Sequence, residues 1–176
     1  TTDVGKQVPA TNVSRITDWN GTPVYVVSTG SGYEIKTPNA TIYSNVATTK
    51  KALSHLTVVF AGDDHHYLYF SEGGDTLLLY DAVETKIETA ATYTGYAISA
   101  AAVMGGKLYY TVDTGANDVL YSHDPVNNSD VNGAISVKRL SGSAGELTVV
   151  NNAALFFSLG SARGTSPWVS DGSAAH

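Results

Sequence analysis

Two carboxylates and two imidazoles stand side by side in the segment Gly62-Asp63-Asp64-His65-His66. Carboxylate oxygens and imidazole nitrogens bind divalent cations. Asp63, Asp64 and His66 are therefore the candidate metal ligands, with calcium as the example of a cation that they would hold. Neighbouring residues on a strand point to opposite sides, however, so consecutive ligands rarely converge. The favoured interpretation is a solvated loop, and a metal site is the alternative.

A second oxygen-rich segment is Asp113-Thr114-Gly115-Ala116-Asn117-Asp118. It lacks the alternating ligand spacing and the distal Glu of the EF-hand calcium loop. Turn formation by Asp and Asn side chains explains it better. His55 and His123 are isolated in the sequence, and we predict a structural role for each of them. Apart from the alternative cation, the sequence predicts no cofactor.

Catalytic residues in a recognisable arrangement are absent from this sequence. No Gly-x-Ser-x-Gly nucleophile elbow occurs, and the chain has no cysteine to act as a nucleophile. A pair of carboxylates for glycoside cleavage would have to come from distant parts of the chain. A non-catalytic protein is the favoured interpretation. The alternative is a carbohydrate-active enzyme, or a fragment of one, with acidic residues from several repeats.

Four aromatic residues lie outside the repeated positions that are described below. These candidate binding residues are Trp19, Tyr33, Tyr93 and Tyr96. Exposed aromatic rings near polar loops can stack on sugar rings or anchor a protein partner. Partial burial at strand ends is the simpler explanation, because single exposed aromatic residues are normal on protein surfaces.

The elements that must position these residues are repeated along the chain. A Leu-aromatic-aromatic core followed by a small polar residue occurs three times, and a looser copy precedes it. The four copies are Val24-Tyr25-Val26-Val27-Ser28, Leu68-Tyr69-Phe70-Ser71, Leu108-Tyr109-Tyr110-Thr111 and Leu155-Phe156-Phe157-Ser158. Their first residues are 44, 40 and 47 positions apart. Short strands that recur at such intervals indicate the blades of a β-propeller.

Each copy has the same surroundings. An apolar strand comes before it, a turn such as Asn20-Gly21 or Gly105-Gly106 separates the two, and further strands follow. The predicted fold is therefore all-β, a small propeller of about four four-stranded antiparallel blades in a single domain, 1–176. The predicted blades are 12–48, 53–91, 96–140 and 145–176, the last completed by 1–10.

The fourth repeat ends without an outer strand. The alternating segment Asp3-Val4-Gly5-Lys6-Gln7-Val8 could supply the missing strand and close the ring within one chain. The alternatives are that the sequence is a piece of a longer propeller, or that two copies pair to make a larger ring. Closure within one chain is the favoured prediction.

The phrase Ser166-Pro167-Trp168-Val169-Ser170-Asp171-Gly172-Ser173-Ala174-Ala175 resembles the bacterial extracellular repeat named for its Glu-Leu-Trp-x-x-Asp-Gly-Thr signature. Trp168, Asp171 and Gly172 match that signature, whereas Pro167 replaces its Leu and Ser173 its Thr. The resemblance implies an exported bacterial protein with a propeller-like fold, and it carries no catalytic residue. We predict that Trp168 packs against the next blade and that Asp171 bonds the amides of its turn.

The composition narrows the choice of partners. The net charge is −6 and the ten basic residues are mostly scattered, which excludes nucleic acid as a partner. No apolar run approaches the 18–20 residues of a membrane span. We expect an extracellular or cell-surface location, with the periplasm as an alternative. The predicted function is a non-catalytic exported binding or assembly module that presents polar loops and strand edges to protein or glycan partners, or to itself in a polymeric structure.

Overall fold

A computed structural model describes residues 13–62, 65–127, 134–161 and 164–173. Within these ranges sixteen strands form four antiparallel sheets, and no helix is present. It follows that no helix of the described ranges is long and apolar enough to cross a membrane. The predicted all-β class and its four four-stranded sheets are confirmed.

The first three sheets are meanders whose strands pair in sequence order. The first sheet contains β1 (Val13–Trp19), β2 (Thr22–Ser28), β3 (Tyr33–Lys36) and β4 (Thr41–Ser44). The second contains β5 (Leu53–Phe60), β6 (His66–Glu72), β7 (Thr76–Asp81) and β8 (Lys86–Thr92). The third contains β9 (Ala97–Met104), β10 (Lys107–Asp113), β11 (Asp118–His123) and β12 (Ile135–Arg139).

The fourth sheet is built differently. Its strands are β13 (Ser143–Ala144), β14 (Thr148–Val150), β15 (Ala154–Ser161) and β16 (Gly164–Ser170). Both β13 and β14 pair along one edge of β15, and β16 pairs along the other. Together β13 and β14 thus occupy the place of one interrupted first strand. Within the described residues no strand lies beyond β16, where the other sheets have β4, β8 and β12.

Short turns with left-handed backbone join the first two strands of the first, third and fourth repeats, as the sequence predicts. Asn20 and Gly21 have φ values of 50° and 78° between β1 and β2, and Gly105 and Gly106 have values of 59° and 74° between β9 and β10. Two consecutive residues with positive φ match the twist of a tight hairpin, and Asn and Gly adopt this conformation at little cost.

Apolar cores lie between successive sheets. Val24, Val26 and Ile35 of the first sheet pack with Leu68 and Phe70 of the second. Tyr67, Tyr69 and Leu79 of the second sheet pack with Leu108 and Tyr110 of the third. Strand β6 therefore buries both of its faces, with alternate residues directed to either neighbour. This burial explains why its sequence is apolar without alternation.

The first repeat is shifted by one residue from the position that its apolar pattern predicts. Thr57 pairs with Tyr69 in the second sheet, and the matching pair in the first sheet is Thr17 with Val24. Val24 is therefore equivalent to Tyr69 and not to Leu68. Three consecutive apolar residues at 24–26 do not define which face is inward, and a slip of one residue exchanges the two faces of a strand.

Candidate functional site

The first strands of successive sheets lie next to one another, β1 beside β5, β5 beside β9, and β9 beside β14. They line a cavity of about 450 Å³ that is open to solvent, and all four repeats contribute to it. We call this the axial cavity. Its lining includes Arg15, His55, Ser99, Ala100, Glu146 and Leu147. The lining therefore mixes both signs of charge with aliphatic side chains.

The lining residues occupy the same positions of each repeat. The segments that align through their strand pairing are Ser14-Arg15-Ile16-Thr17, Ser54-His55-Leu56-Thr57, Ser99-Ala100-Ala101-Ala102 and Gly145-Glu146-Leu147-Thr148. The third position is aliphatic in every repeat. The second position differs in every repeat and carries Arg, His, Ala and Glu. A constant scaffold therefore presents four different side chains to one space.

The strand pairing is irregular at this level in every sheet. The register shifts between Ser14 and Ile16 in β1, and between Ser54 and Thr57 in β5. In β9 the shift leaves Ser99 without a paired residue, and in the fourth sheet residues 145–147 separate β13 from β14. β-Bulges of this kind leave backbone groups outside the ladder and redirect side chains, and they are common beside functional sites.

His55 lies at the centre of a small polar network on the cavity wall. Its Nδ1 is 3.0 Å from the Ser71 hydroxyl, which is itself 2.7 Å from the Ser54 hydroxyl. Burial lowers the pKa of His55 most strongly, a hydrogen bond with the Ser99 backbone opposes this, and the positive charge of Arg15 lowers it further. The net effect is a lowered pKa, so His55 is neutral at pH 7.

Arg15 and Glu146 supply the two charges of the cavity. Within the described residues neither side chain forms an ion pair. The lining contains no aromatic ring. The axial cavity is thus a polar space with one cationic and one anionic group, both available to a ligand, and with aliphatic walls.

The outward face of the fourth sheet is a second unusual surface. Phe156 is 43% exposed, whereas the equivalent Tyr69 and Tyr109 are 0% and 6% exposed because the next sheet covers them. Val150 and Val169 are also exposed. The cross-strand partners that form this face are uncharged, and we call them the fourth-sheet face: Thr148, Val150, Phe156, Ser158, Pro167 and Val169. One charged residue, Glu146, borders the groove on this face.

The outward face of the first sheet has a different character. Tyr25 on this face is only 7% exposed. Beside it, Lys36 and Glu34 are cross-strand partners of Tyr25 and Val27, and they form an ion pair with an N–O distance of 3.0 Å. Ile16, the partner of Tyr25, is exposed on this face, but the ion pair places two charges there, and the first sheet therefore differs from the fourth-sheet face.

The predicted metal ligands are only partly described. Asp63 and Asp64 lie outside the described residues. His66 begins β6 and its ring packs against Phe60, with centroids 4.8 Å apart. Within the described residues there is no group of three or more His, Cys, Asp or Glu side chains that could hold a metal ion. The metal site stays a prediction.

The four predicted aromatic binding residues do not form one surface. Trp19 packs edge-on against Tyr80, and Trp19 and Tyr33 both border the core between the first two sheets. The Tyr93 hydroxyl is 2.7 Å from that of Tyr110, and burial raises the pKa of Tyr93 to about 12. Tyr96 is exposed. The contacts of Trp19, Tyr33 and Tyr93 favour a packing role for these three residues.

Three predicted structural roles can be compared with their contacts. The Asp171 carboxylate accepts hydrogen bonds from the backbone and hydroxyl of Ser173, which confirms its turn role. The buried His123 bonds the Tyr69 hydroxyl at 2.6 Å, which confirms its structural role. The prediction for Trp168 is wrong in direction. Trp168 is the cross-strand partner of Phe157, so it faces the preceding sheet.

The predicted turn in the segment 113–118 is confirmed at its start, where the Asp113 carboxylate accepts a hydrogen bond from the Gly115 backbone. Asp118 has a different role. Its carboxylate is buried and accepts a hydrogen bond from the Ala144 backbone, which holds the entry to the fourth sheet. Burial raises the pKa of Asp118, although the bond from Ala144 opposes this effect.

Arg15 and Glu146 were not among the residues that the sequence motifs identify. The available signal was the recurring Ser-x-aliphatic-Thr pattern of 14–17 and 54–57, with Gly in place of Ser at 145–148. Its variable second position marks the residues that face the axial cavity. The pattern is short, and the third repeat replaces all but its Ser with Ala, so the match is hard to see without the pairing of the strands.

No family model matches this chain, and no curated protein matches it. One similar solved structure is the computationally designed Ika4 protein, with a TM-score of 0.55 and 10% identity over 92% of this chain and 93% of that one. Another is the N-terminal domain of Nup159, with a TM-score of 0.51 and 10% identity over 84% of this chain and 39% of that one. At this level of identity the similarity concerns the fold alone.

Proposed function

We propose that this chain is a non-catalytic assembly module whose four sheets are the blades of a propeller that is open between the fourth and first sheets. The adjacency of β1, β5, β9 and β14 around one cavity supports a radial arrangement. The assembly role rests on one observation. Phe156 is exposed at a repeat position where Tyr69 and Tyr109 are buried.

The occupant that fits the fourth-sheet face is a second copy of this chain. Apart from Glu146 at its border, the face is uncharged, whereas the whole chain carries a net charge of −6. Two acidic copies meet with the least repulsion where each presents few charges. The first sheet offers the Glu34–Lys36 ion pair instead. The two copies therefore join fourth sheet to fourth sheet about a twofold axis, the most common symmetry of protein dimers.

Packing of this kind has a direct energetic advantage. Two sheets that pack face to face remove their apolar side chains from water and interdigitate across about 10 Å. Phe156 is the largest side chain on this face, and buried aromatic side chains dominate the affinity of many interfaces. We expect it to contribute more to dimer formation than Val150 or Val169.

Sedimentation equilibrium tests the proposal. We expect a monomer–dimer equilibrium within roughly 1–500 µM protein. Phe156→Asp should weaken it at least about tenfold because it places two negative charges against each other. The matched control is Val83→Asp, which adds the same charge at an exposed site in the β7–β8 turn. Its dimerisation should be unchanged.

A further variant separates this dimer from a larger ring. Ile16 on the first sheet is 70% exposed, and Ile16→Asp should leave the dimer intact. If Ile16→Asp abolishes the dimer, the fourth sheet packs on the first sheet of the other copy, and the twofold arrangement is wrong. If the wild-type chain stays monomeric over the whole range, the assembly function is wrong.

Two sequence-based expectations bear on the proposal, the first as an alternative to it and the second as support. Closure of the ring by 3–8 falls on residues outside the described ranges, and it is the arrangement that a monomer would favour. An exported location, at the cell surface or in the extracellular medium, agrees with the resemblance of 166–175 to the extracellular repeat, and it stays a proposal. Partners other than a second copy, whether protein or glycan, would use the same face.

An enzymatic function has less support. Glycoside hydrolysis generally uses two facing carboxylic acids. The described lining of the axial cavity contains one carboxylate, that of Glu146. No observation favours the carbohydrate-active enzyme over the assembly module.

A further inference from the structure

The axial cavity has the features of a site for a small molecule. Its volume of about 450 Å³ lies within the usual range for ligand pockets. The second position of the aligned four-residue segment carries a different side chain in each repeat, on a common backbone frame. Two of these residues, Arg15 and His55, hold left-handed φ values of 58° and 53°. Such values are costly for residues other than glycine, and they cluster at functional sites.

The charges of the cavity restrict the ligand. A simple anion would be attracted by Arg15 and repelled by Glu146, and a simple cation would meet the reverse. Since His55 is neutral at pH 7, the two charged side chains balance each other. A ligand that carries both a carboxylate and an ammonium group complements both. The guanidinium group suits a carboxylate because it can donate two parallel hydrogen bonds.

The walls of the cavity restrict the ligand further. The third repeat positions are aliphatic, with Ile16, Leu56 and Leu147 among them. They offer an apolar surface to a side chain. The Thr57 hydroxyl donates to the His55 carbonyl and the Ser99 hydroxyl bonds that of Thr111, so both oxygens keep lone pairs that can accept a hydrogen bond. The described lining contains no aromatic ring on which a sugar could stack. This composition disfavours a saccharide.

We propose that the axial cavity binds a small zwitterion, an α-amino acid with an apolar side chain. Arg15 holds the carboxylate, Glu146 holds the ammonium group, and the aliphatic third positions contact the side chain. Glu146 lies where this site borders the fourth-sheet face, and the binding of a zwitterion does not require the dimer.

Calorimetric titration with L-leucine and its two half-ligands tests this inference. The half-ligands are 4-methylpentanoate, which lacks the ammonium group, and 3-methylbutylamine, which lacks the carboxylate. We expect leucine to bind roughly 10- to 100-fold more tightly than either half-ligand, because each charged hydrogen-bond pair is lost in turn. Binding of glucose in place of leucine, or of no probe at all, would overturn the inference.

Two charge-neutralising variants assign the two groups. Arg15→Gln should weaken leucine roughly 10- to 100-fold and leave 3-methylbutylamine the better of the two half-ligands. Glu146→Gln should weaken leucine similarly and make 4-methylpentanoate the better half-ligand. The matched control, Glu84→Gln in the exposed β7–β8 turn, should leave all affinities unchanged. Leucine affinity that is equal in all of these proteins would contradict the assignment.

Discussion

At the scale of single residues, the backbone at Arg15 and His55 departs from strand geometry within the strands themselves, whereas the other left-handed residues besides glycine lie outside the strands. The backbone of both residues lies in the left-handed region, with φ values of 58° and 53°. Each residue lies within a β-bulge, where the extra residue needs a conformation outside the strand. Glycine would adopt this conformation without strain, so the presence of Arg and His suggests that their side chains are needed in the axial cavity.

This strain leads to a prediction for Arg15→Gly. Glycine removes the cost of a left-handed L-residue, and we expect the free energy of unfolding to rise by about 1 kcal/mol. The same variant should lose the binding of leucine. Thr17→Gly is the matched control in the regular part of β1, and it should lower stability by about 1 kcal/mol. Urea denaturation measures both values. A lower stability for Arg15→Gly would show that Arg15 supports the fold instead.

At this scale the sequence predicts turn residues better than cavity residues. Asp171 and Asp113 bond their own turns as expected, because Asp next to Gly or Ser has a local mechanism that needs no tertiary information. Arg15 and Glu146 are 131 positions apart in the sequence. Only the convergence of β1 and β14 on one cavity makes them a pair.

At the scale of elements, the junction between the first and second sheets is held by a buried polar network. The Glu72 carboxylate at the end of β6 accepts hydrogen bonds from Tyr43 at 2.9 Å, Asn45 at 2.8 Å and Thr49 at 2.6 Å. Asn45 is fully buried and also bonds the backbone of Tyr33. The network joins β6 to the end of β4 and to the linker that follows it.

The network predicts a pH-dependent stability. Burial acts to raise the pKa of Glu72, but the bonds from Thr49, Asn45 and Tyr43 together hold it below 4.5. The ionised carboxylate therefore stabilises the folded chain above pH 4.5, and this contribution is lost as the pH falls further. Glu72→Gln should lower the free energy of unfolding by about 1–3 kcal/mol at pH 7.

Thermal unfolding from pH 3 to pH 7 tests this prediction. The difference between the wild-type protein and Glu72→Gln should be largest at neutral pH and should shrink below pH 4.5. Glu84→Gln serves as the control, because its side chain is exposed in a turn. A difference that is constant with pH would mean that the charge of Glu72 has no role in the junction.

The elements themselves were largely predictable, and their registers were not. The repeated Leu-aromatic-aromatic core identified β6, β10 and β15, because strands covered on both faces need apolar residues at every position. The same property conceals which residue faces which neighbour, so the first repeat was placed one residue away from its true equivalent. Bulges are also invisible in such a pattern, since it has no alternation for them to interrupt.

At the scale of the whole molecule, three interfaces between successive sheets follow one scheme, and in the part of the chain that the structure describes no sheet follows the fourth. The sequence predicts that residues 1–10 complete the fourth repeat, and these lie outside the described residues, which contain no strand beyond β16. The sequence cannot predict what covers the fourth-sheet face, because Phe156 has the same residue type as its buried equivalents. Phe156 is exposed because no sheet packs on this face within the described residues.

The absence of cysteine from the chain permits one direct test of the central claim. A single cysteine introduced at Ser158, in the fourth-sheet face, can carry a spin label whose distance to the label of a second copy is measured by pulsed electron paramagnetic resonance. Because facing sheets pack about 10 Å apart, we expect a label distance under roughly 25 Å at Ser158, and a longer distance from a label at Val83. The absence of dipolar coupling at Ser158, or a short distance at Val83, would contradict a dimer formed through the fourth sheet.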